Sequence, residues 1–268
     1  MLTETDLADL RSAKNLLENP SLAARISNVI GAPIEKGLSM LPDGANEIII
    51  TTTRKALETA LDFAISTMDD EPQQRSSDWL HKTFAGVSGA AGGAFGLPAL
   101  AIELPVSTTI ILRSIADIAR SEGESIRSPE TRLVCLEVFA LGGSASNDDA
   151  VESGYFAVRA ALAKSLSDAV EYMASRSVTQ NTAPPLVSFI TQVAARFGIP
   201  VTEKAIAQAL PALGAAGGAL VNTLFADHFQ NMSRGHFTVR RLERAYGQCW
   251  SNRFTTACDV GCCVKSRA

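Results

Sequence analysis

One six-residue string occurs twice in this chain. Gly89-Ala90-Ala91-Gly92-Gly93-Ala94 returns as Gly214-Ala215-Ala216-Gly217-Gly218-Ala219. Each copy lies in roughly twenty residues without a charge, Thr83 to Ile102 and Ala205 to Ala226, a length near the hydrocarbon span of a bilayer. Glycine in a helix costs about 0.5–1 kcal/mol relative to Ala, so several within a few turns need an offsetting gain. Gly89 and Gly93, Gly92 and Gly96, and Gly214 and Gly218 are each four apart, hence on one helix face. With Gly217, they allow a second backbone to come very close, and the two helices are expected to pack glycine face to glycine face.

This feature leaves three architectures open: a soluble bundle with a buried central hairpin, a soluble bundle that docks on a membrane or opens to insert the hairpin, and a constitutive membrane protein. Glu103, Pro105 and Arg113 after the first copy, and Gln208, Pro211 and Asn222 around the second, oppose constitutive spanning. Ala and Gly also give little transfer energy compared with Leu or Ile. A phosphate cradle is excluded, because Gly89-x-x-Gly-Gly-x-x-Gly96 is neither a dinucleotide fingerprint nor a P-loop, and no strand is expected before it.

Apolar residues recur at spacings of three and four along most of the 268 residues, which predicts an all-α fold with the glycine-rich pair at its centre. A short first helix, capped by Thr5 or Asp6, ends near Asn19-Pro20. Helices follow from Leu22 to Leu41 and from Asn46 to Met68. The β-branched run Ile48 to Thr53 favours strand locally, but the sequence after it is plainly helical. The next helix restarts at Pro98 and reaches Ser121, and Pro105 either kinks it or sits near its first turn. Pro129 to Leu141, Asp148 to Arg176 and Pro185 to Phe197 fit helices. Gly198-Ile199-Pro200 is expected to end the last of these, with Thr202 capping the glycine-rich helix after it. Gly235 is expected to break that helix before a final one over His236 to Gly247.

Charged residues make up 19% of the chain, against about 25% in typical soluble domains. The net charge of −4 speaks against nucleic acid as a partner. From Ser233 onward, however, Arg234, Arg240, Arg241, Arg244, Arg253, Lys265 and Arg267 face only Glu243 and Asp259, a local net of +5. Arg240, Arg241 and Arg244 are thus candidates for a basic face toward anionic lipid, the alternative being an ordinary solvated helix face. The N-terminus has no basic segment followed by an apolar run, so no signal peptide is expected. The expected location is the cytoplasm, with peripheral association at the inner membrane, where the five cysteines stay reduced.

The polar residues inside apolar stretches are the candidates for chemistry. Glu103 stands in Ala-Ile-Glu-Leu-Pro and Glu137 in Val-Cys-Leu-Glu-Val. Buried carboxylates need partners, and Arg113 and Arg159 are candidates; Arg113 and Asp117, four apart, can also pair with each other. Asn222, Asp227, His228 and His236 form the densest polar group near an apolar segment. Two His and a carboxylate could hold zinc or iron, but no H-E-x-x-H or Glu-x-x-His pair is present. Glu103, Glu137, His228 and His236 are therefore candidate catalytic residues only in a second reading, a metal-dependent hydrolase. Ser88 and Ser144 lack a nucleophile elbow. The spacings of Cys249, Cys258, Cys262 and Cys263 fit no common zinc module; Cys262-Cys263 beside basic residues is a weak lipidation candidate.

Several blocks together resemble the EcsC family. They are Gly89 to Pro98, Glu103-Leu-Pro-Val106, Leu112 to Ala119, Cys135 to Leu141, Ser153-Gly-Tyr-Phe-Ala-Val-Arg159, Asn222 to Gln230 and Gly235 to Glu243. The resemblance covers roughly residues 20 to 247. It implies a bacterial, mainly helical protein from a family named for an operon that also encodes an ABC transporter tied to secretion. It brings no catalytic residue set. It draws Glu103, Arg113, Glu137, Tyr155, Arg159, Asn222, Asp227, His228 and His236 together as motif positions. The expected organisation is a helical domain over 1–247 and a cysteine-bearing basic tail over 248–268. The leading expectation is a membrane-associated, non-enzymatic accessory protein of bacterial envelope or transport biology, without cofactor or metal. It would dock through the basic C-terminal helix and the glycine-rich hairpin, with anionic lipids or an ABC transporter as partner. A helical module binding lipid or another apolar ligand is a further alternative.

Overall fold

In a computed structural model, residues 3–18, 22–30, 41, 44–67, 97–143, 151–175, 183–209 and 214–247 are described. Among them the secondary structure is entirely helical: α1 Glu4–Leu17, α2 Leu22–Ile30, α3 Ala45–Thr67, α4 Leu97–Ser121, α5 Pro129–Leu141, α6 Val151–Ser175, α7 Pro184–Ala209 and α8 Gly214–Tyr246. The first glycine-rich string, with Gly89, Gly92, Gly93 and Gly96, lies outside the described residues. So does the tail with Cys249, Cys258, Cys262 and Cys263. Gly214 and Gly217 open α8, and Gly218 is buried in its second turn.

The helix at the centre is α5. Pro129 starts it where a missing N–H costs nothing. Thr131 and every residue from Leu133 to Leu141 are buried, so it is apolar nearly all round, as a core helix must be. Around it stand α3, α4, α6, α7 and α8, and its Phe139 packs in a ring cluster with Phe197 of α7 and Phe229 of α8 at centroid distances of 4.7 and 5.1 Å. The β-branched start of α3 is helical, with Thr51 donating its hydroxyl proton back to the Glu47 carbonyl at 2.7 Å. The cap of α1 is Thr3 rather than Thr5 or Asp6; its Oγ1 accepts from the Asp6 N–H at 3.1 Å. Among the described residues no helix is long and apolar enough to cross a membrane.

Two expected helix breaks are absent. Helix α7 runs through Gly198-Ile199-Pro200, and Thr202 is no cap; its hydroxyl donates to the Gly198 carbonyl one turn back at 2.7 Å. Pro200 has no N–H to give the carbonyl of Arg196. That carbonyl faces Gly143 in the turn after α5, so closely that a Cβ built there would stand 2.1 Å from the oxygen. The turn thus packs on the carbonyl that the proline releases. Helix α8 likewise continues through Gly235, where a Cβ would meet Leu17 Cγ at 2.6 Å and the Ala13 carbonyl oxygen at 3.1 Å. This glycine marks a crossing with α1 and not a helix end. The end comes at Gly247, whose φ of +79° suits glycine after a helix C-terminus.

Candidate functional site

Thirty-three residues make α8 about 50 Å long, and it meets polar groups of other helices at successive levels. Near its start, Asn222 Nδ2 donates to Glu103 Oε1 of α4 at 2.9 Å. The same oxygen accepts from Lys204 Nζ of α7 at 2.9 Å. Lys204 is fully buried, also reaches Ser107 Oγ at 3.4 Å, and lies 4.6 Å from the centre of the Phe225 ring. Burial pushes the pKa of this ammonium down, and the bonded Glu103 carboxylate works against that. The second oxygen, Glu103 Oε2, is buried without a hydrogen-bond partner. The expected partners of Glu103, Arg113 and Arg159, are not its partners. Arg113 is exposed, 6.0 Å from the Phe63 ring centre. Asp117, expected to pair with Arg113, accepts from Arg120 at 2.8 Å. One turn separates 117 from both 113 and 120, and the outward face holding Arg113 offers no such contact.

Midway along α8, Asp227 accepts from Arg25 of α2 at 2.6 Å, and His228 Nε2 contacts the Gly142 carbonyl at 2.9 Å. Burial holds His228 below its ordinary pKa, with the Gly142 contact opposing. Further along, Gln230 Nε2 donates to Ser114 Oγ of α4 at 2.8 Å.

The next level joins α5, α6 and α8. His236 Nδ1 lies 2.9 Å from the Tyr155 hydroxyl, and Arg159 forms a two-pronged bond with Glu243 at 2.8 and 2.9 Å. The Arg159 guanidinium also stands 5.5 Å from the centre of the Tyr155 ring. Burial first, and then Arg159 and Arg240, keep the His236 imidazole neutral, well below its ordinary pKa. Its Nε2 is buried without a partner. Glu137 of α5, 3% exposed, is pushed up to about 7 by burial, against the pull of Arg159 and Arg240.

The structure therefore gathers Glu137, Tyr155, Arg159 and His236 around one polar centre and Glu103 with Asn222 in another. It does not gather Glu103, Glu137, His228 and His236 into a single site. Asn222 and His236 are fourteen residues apart on an unbroken helix, an axial separation of about 21 Å, and His228 and His236 are about 12 Å apart. Among the described residues no group of three or more His, Cys, Asp or Glu is placed to hold a metal ion. Cys135 is buried, and burial raises its thiol pKa, so it is a core residue and not a poised nucleophile.

The three arginines near the end of α8 are engaged within the chain. Arg240 bonds Glu124 and Glu130, both at 2.9 Å. Arg241 bonds Glu122 and Asp9 at 2.7 Å, with Asp6 at 3.4 Å. Arg244 bonds Glu124 and donates to the Glu122 carbonyl at 2.7 Å. Tyr246 donates to Asp6 at 2.5 Å. Five carboxylates from α1, the turn after α4 and the start of α5 thus meet these three guanidiniums.

The functional side chain that sequence reasoning missed is Lys204. It directly precedes the charge-free stretch from Ala205 and looks like its boundary. The signal was a lone Lys between Val201 and Ile206 on a face otherwise buried.

Taken together, the chain is an all-helical protein whose long last helix carries two buried polar centres. A family model for the EcsC protein family matches residues 8–242, and the chain belongs to that family. No curated protein and no solved structure matches it.

Proposed function

We propose that this protein is a membrane-associated, non-enzymatic accessory protein that meets the bilayer with the end of the bundle where α4 and α8 begin. The observation that carries the reading is a set of exposed apolar side chains there: Ile102 at 77%, Val106 at 49% and Leu220 at 43% exposure. Ile102 and Val106 are four apart and share a helix face. The Glu103–Asn222 bond holds the α4 and α8 backbones together at this level. The charge-poor Gly/Ala string from Gly214 opens α8 at this end, and the other string precedes α4 in sequence.

Fully burying an exposed side chain of this kind gains about 1.5–3 kcal/mol, so the exposed parts of these three gain together about 2.5–5 kcal/mol, a reversible attachment weaker than a single acyl anchor. Because Arg240, Arg241 and Arg244 already face carboxylates, the attraction rests on apolar contact, and salt has little influence on it. The envelope setting, with an ABC transporter as neighbour, follows the operon for which the family is named.

The test is flotation of the purified protein with anionic and neutral liposomes at low and high salt, beside Ile102→Glu/Val106→Glu. Flotation of the parent that survives salt and is lost in the double variant is the expected result. Failure of the parent to float with either lipid refutes the proposal; flotation that salt abolishes returns the role to a basic surface.

A further inference from the structure

Three polar side chains on consecutive turns of α8 are buried, each with one atom unpartnered. Gln230 is 1% exposed, and Ser233 and His236 are 0% exposed. Among the described residues, Gln230 Oε1, Ser233 Oγ and His236 Nε2 have no hydrogen-bond partner. The outer two are engaged through their other polar atoms. Gln230 Nε2 donates to Ser114 Oγ of α4 at 2.8 Å, and His236 Nδ1 lies 2.9 Å from the Tyr155 hydroxyl of α6. We propose that a file of internal water molecules runs along this stripe of α8, bridging Gln230 to Ser233 and Ser233 to His236.

The spacing fits water. Residues three apart on a helix stand about 5–6 Å apart at Cβ. One water with two hydrogen bonds of about 2.8 Å spans the same distance. Each step of three residues also turns the stripe by about 60° around the helix. The partners at its two ends agree with that turn: Gln230 meets α4, His236 meets α6, and Ser233 lies between them.

The chemistry of the three atoms selects the occupant. Gln230 Oε1 only accepts, the Ser233 hydroxyl donates and accepts, and Nε2 of a neutral imidazole does one or the other according to the tautomer. The occupant must therefore both donate and accept. An anion would face the Gln230 oxygen. A cation would lie beside His236, where burial and then Arg159 and Arg240 already disfavour positive charge. A small neutral molecule that donates and accepts remains. Exchanging the O and N of the Gln230 amide changes which atom needs a partner but not the need. Internal waters occur about once per 27 residues and make about three hydrogen bonds each to buried groups otherwise unsatisfied, so a chain of 268 residues readily holds two along α8. With them in place, one hydrogen-bonded track runs from Ser114 of α4, along α8, to Tyr155, Arg159 and Glu243.

The sign of one substitution tests this. Ser233→Ala deletes the middle hydroxyl. If waters bond that hydroxyl, its loss leaves them short of a partner, and the folding equilibrium constant of the full chain in urea unfolding should fall about fivefold. If the stripe is dry, Ala removes an unsatisfied hydroxyl and favours the helix, and the variant should be more stable than the parent. A high-resolution crystal structure of the parent is the second readout. Water density should lie within hydrogen-bond distance of Ser233 Oγ and of Gln230 Oε1 or His236 Nε2. The proposal is overturned if Ser233→Ala is as stable as the parent or more so, or if the parent's crystal shows no water beside Ser233 Oγ.

Discussion

Replacing Gly143 with Ala tests the account of α7 directly. The added Cβ would stand 2.1 Å from the Arg196 carbonyl oxygen and 2.7 Å from its carbon, both backbone atoms that no rotamer change can move aside. The turn after α5 or the backbone of α7 must shift, an overpacking cost at the upper end of the usual range, about 3 kcal/mol. For a domain of this size that lowers the melting temperature by roughly 6–10 °C. Gly235→Ala is the intermediate case: its nearest atoms belong to the Leu17 side chain, at 2.6 and 2.9 Å, and can partly yield. Gly198→Ala is the opposite case, because nothing lies within 4 Å of its Cβ position and it sits inside α7. There Ala should stabilise by about 0.5–1 kcal/mol. Thermal melts by circular dichroism on the three variants should rank Gly198→Ala above the parent, then Gly235→Ala, then Gly143→Ala. If Gly143→Ala melts with the parent, the contact between the turn and the freed carbonyl is not what lets α7 pass through Pro200. If Gly198→Ala is the worst of the three, α7 does break there.

Lys204→Met should destabilise by about 3–5 kcal/mol in urea, because it leaves Glu103 buried beside Asn222 without a counter-charge; adding Glu103→Gln should recover more than half of that, and a double variant as weak as the single one would show that the ammonium is not paired. The pH dependence carries two opposing contributions. Glu137 binds its proton more tightly in the folded state, so its contribution is full below about 4.5 and lost as pH rises through about 7, a total of about 3 kcal/mol. His228 and His236 are depressed, so theirs is full above 6.5 and lost on acidification. Melting temperatures from pH 4.5 to 8 should therefore fall less on the alkaline side in Glu137→Gln while the acid-side loss remains; parallel curves would contradict the Glu137 assignment, and a parent that loses nothing on acidification would contradict the histidine one.

Much of the fold was legible because helix formation here follows local rules. The bounds of α5 follow from Pro129 and from the Gly142-Gly143 turn, and its burial follows from an apolar run over Leu133–Leu141 interrupted only by Glu137. The breaks expected at Gly198-Ile199-Pro200 and Gly235 follow equally local rules, but the reasons they do not occur are tertiary. A glycine in a helix reads the same whether it ends the helix or lets another backbone approach. Only the position of Leu17 against Gly235, and of Gly143 against Arg196, tells the two apart.

The same distinction governs the site. Arg159 was visible as a candidate partner for a buried carboxylate and His236 as part of a polar group near an apolar segment, and the structure brings both to Tyr155 because a buried polar side chain has to find a partner across the fold. Charge counts along the chain work less well, since they add neighbours in sequence. The excess of arginine toward the C-terminus is real as a count. Asp6 and Asp9, more than 230 residues away, and Glu122, Glu124 and Glu130 return to meet it. A basic stretch becomes a binding surface only if the fold leaves it without carboxylates. Here five of them face three guanidiniums, so the exposed apolar end beside Glu103 and Asn222 is the stronger basis for the membrane association we propose.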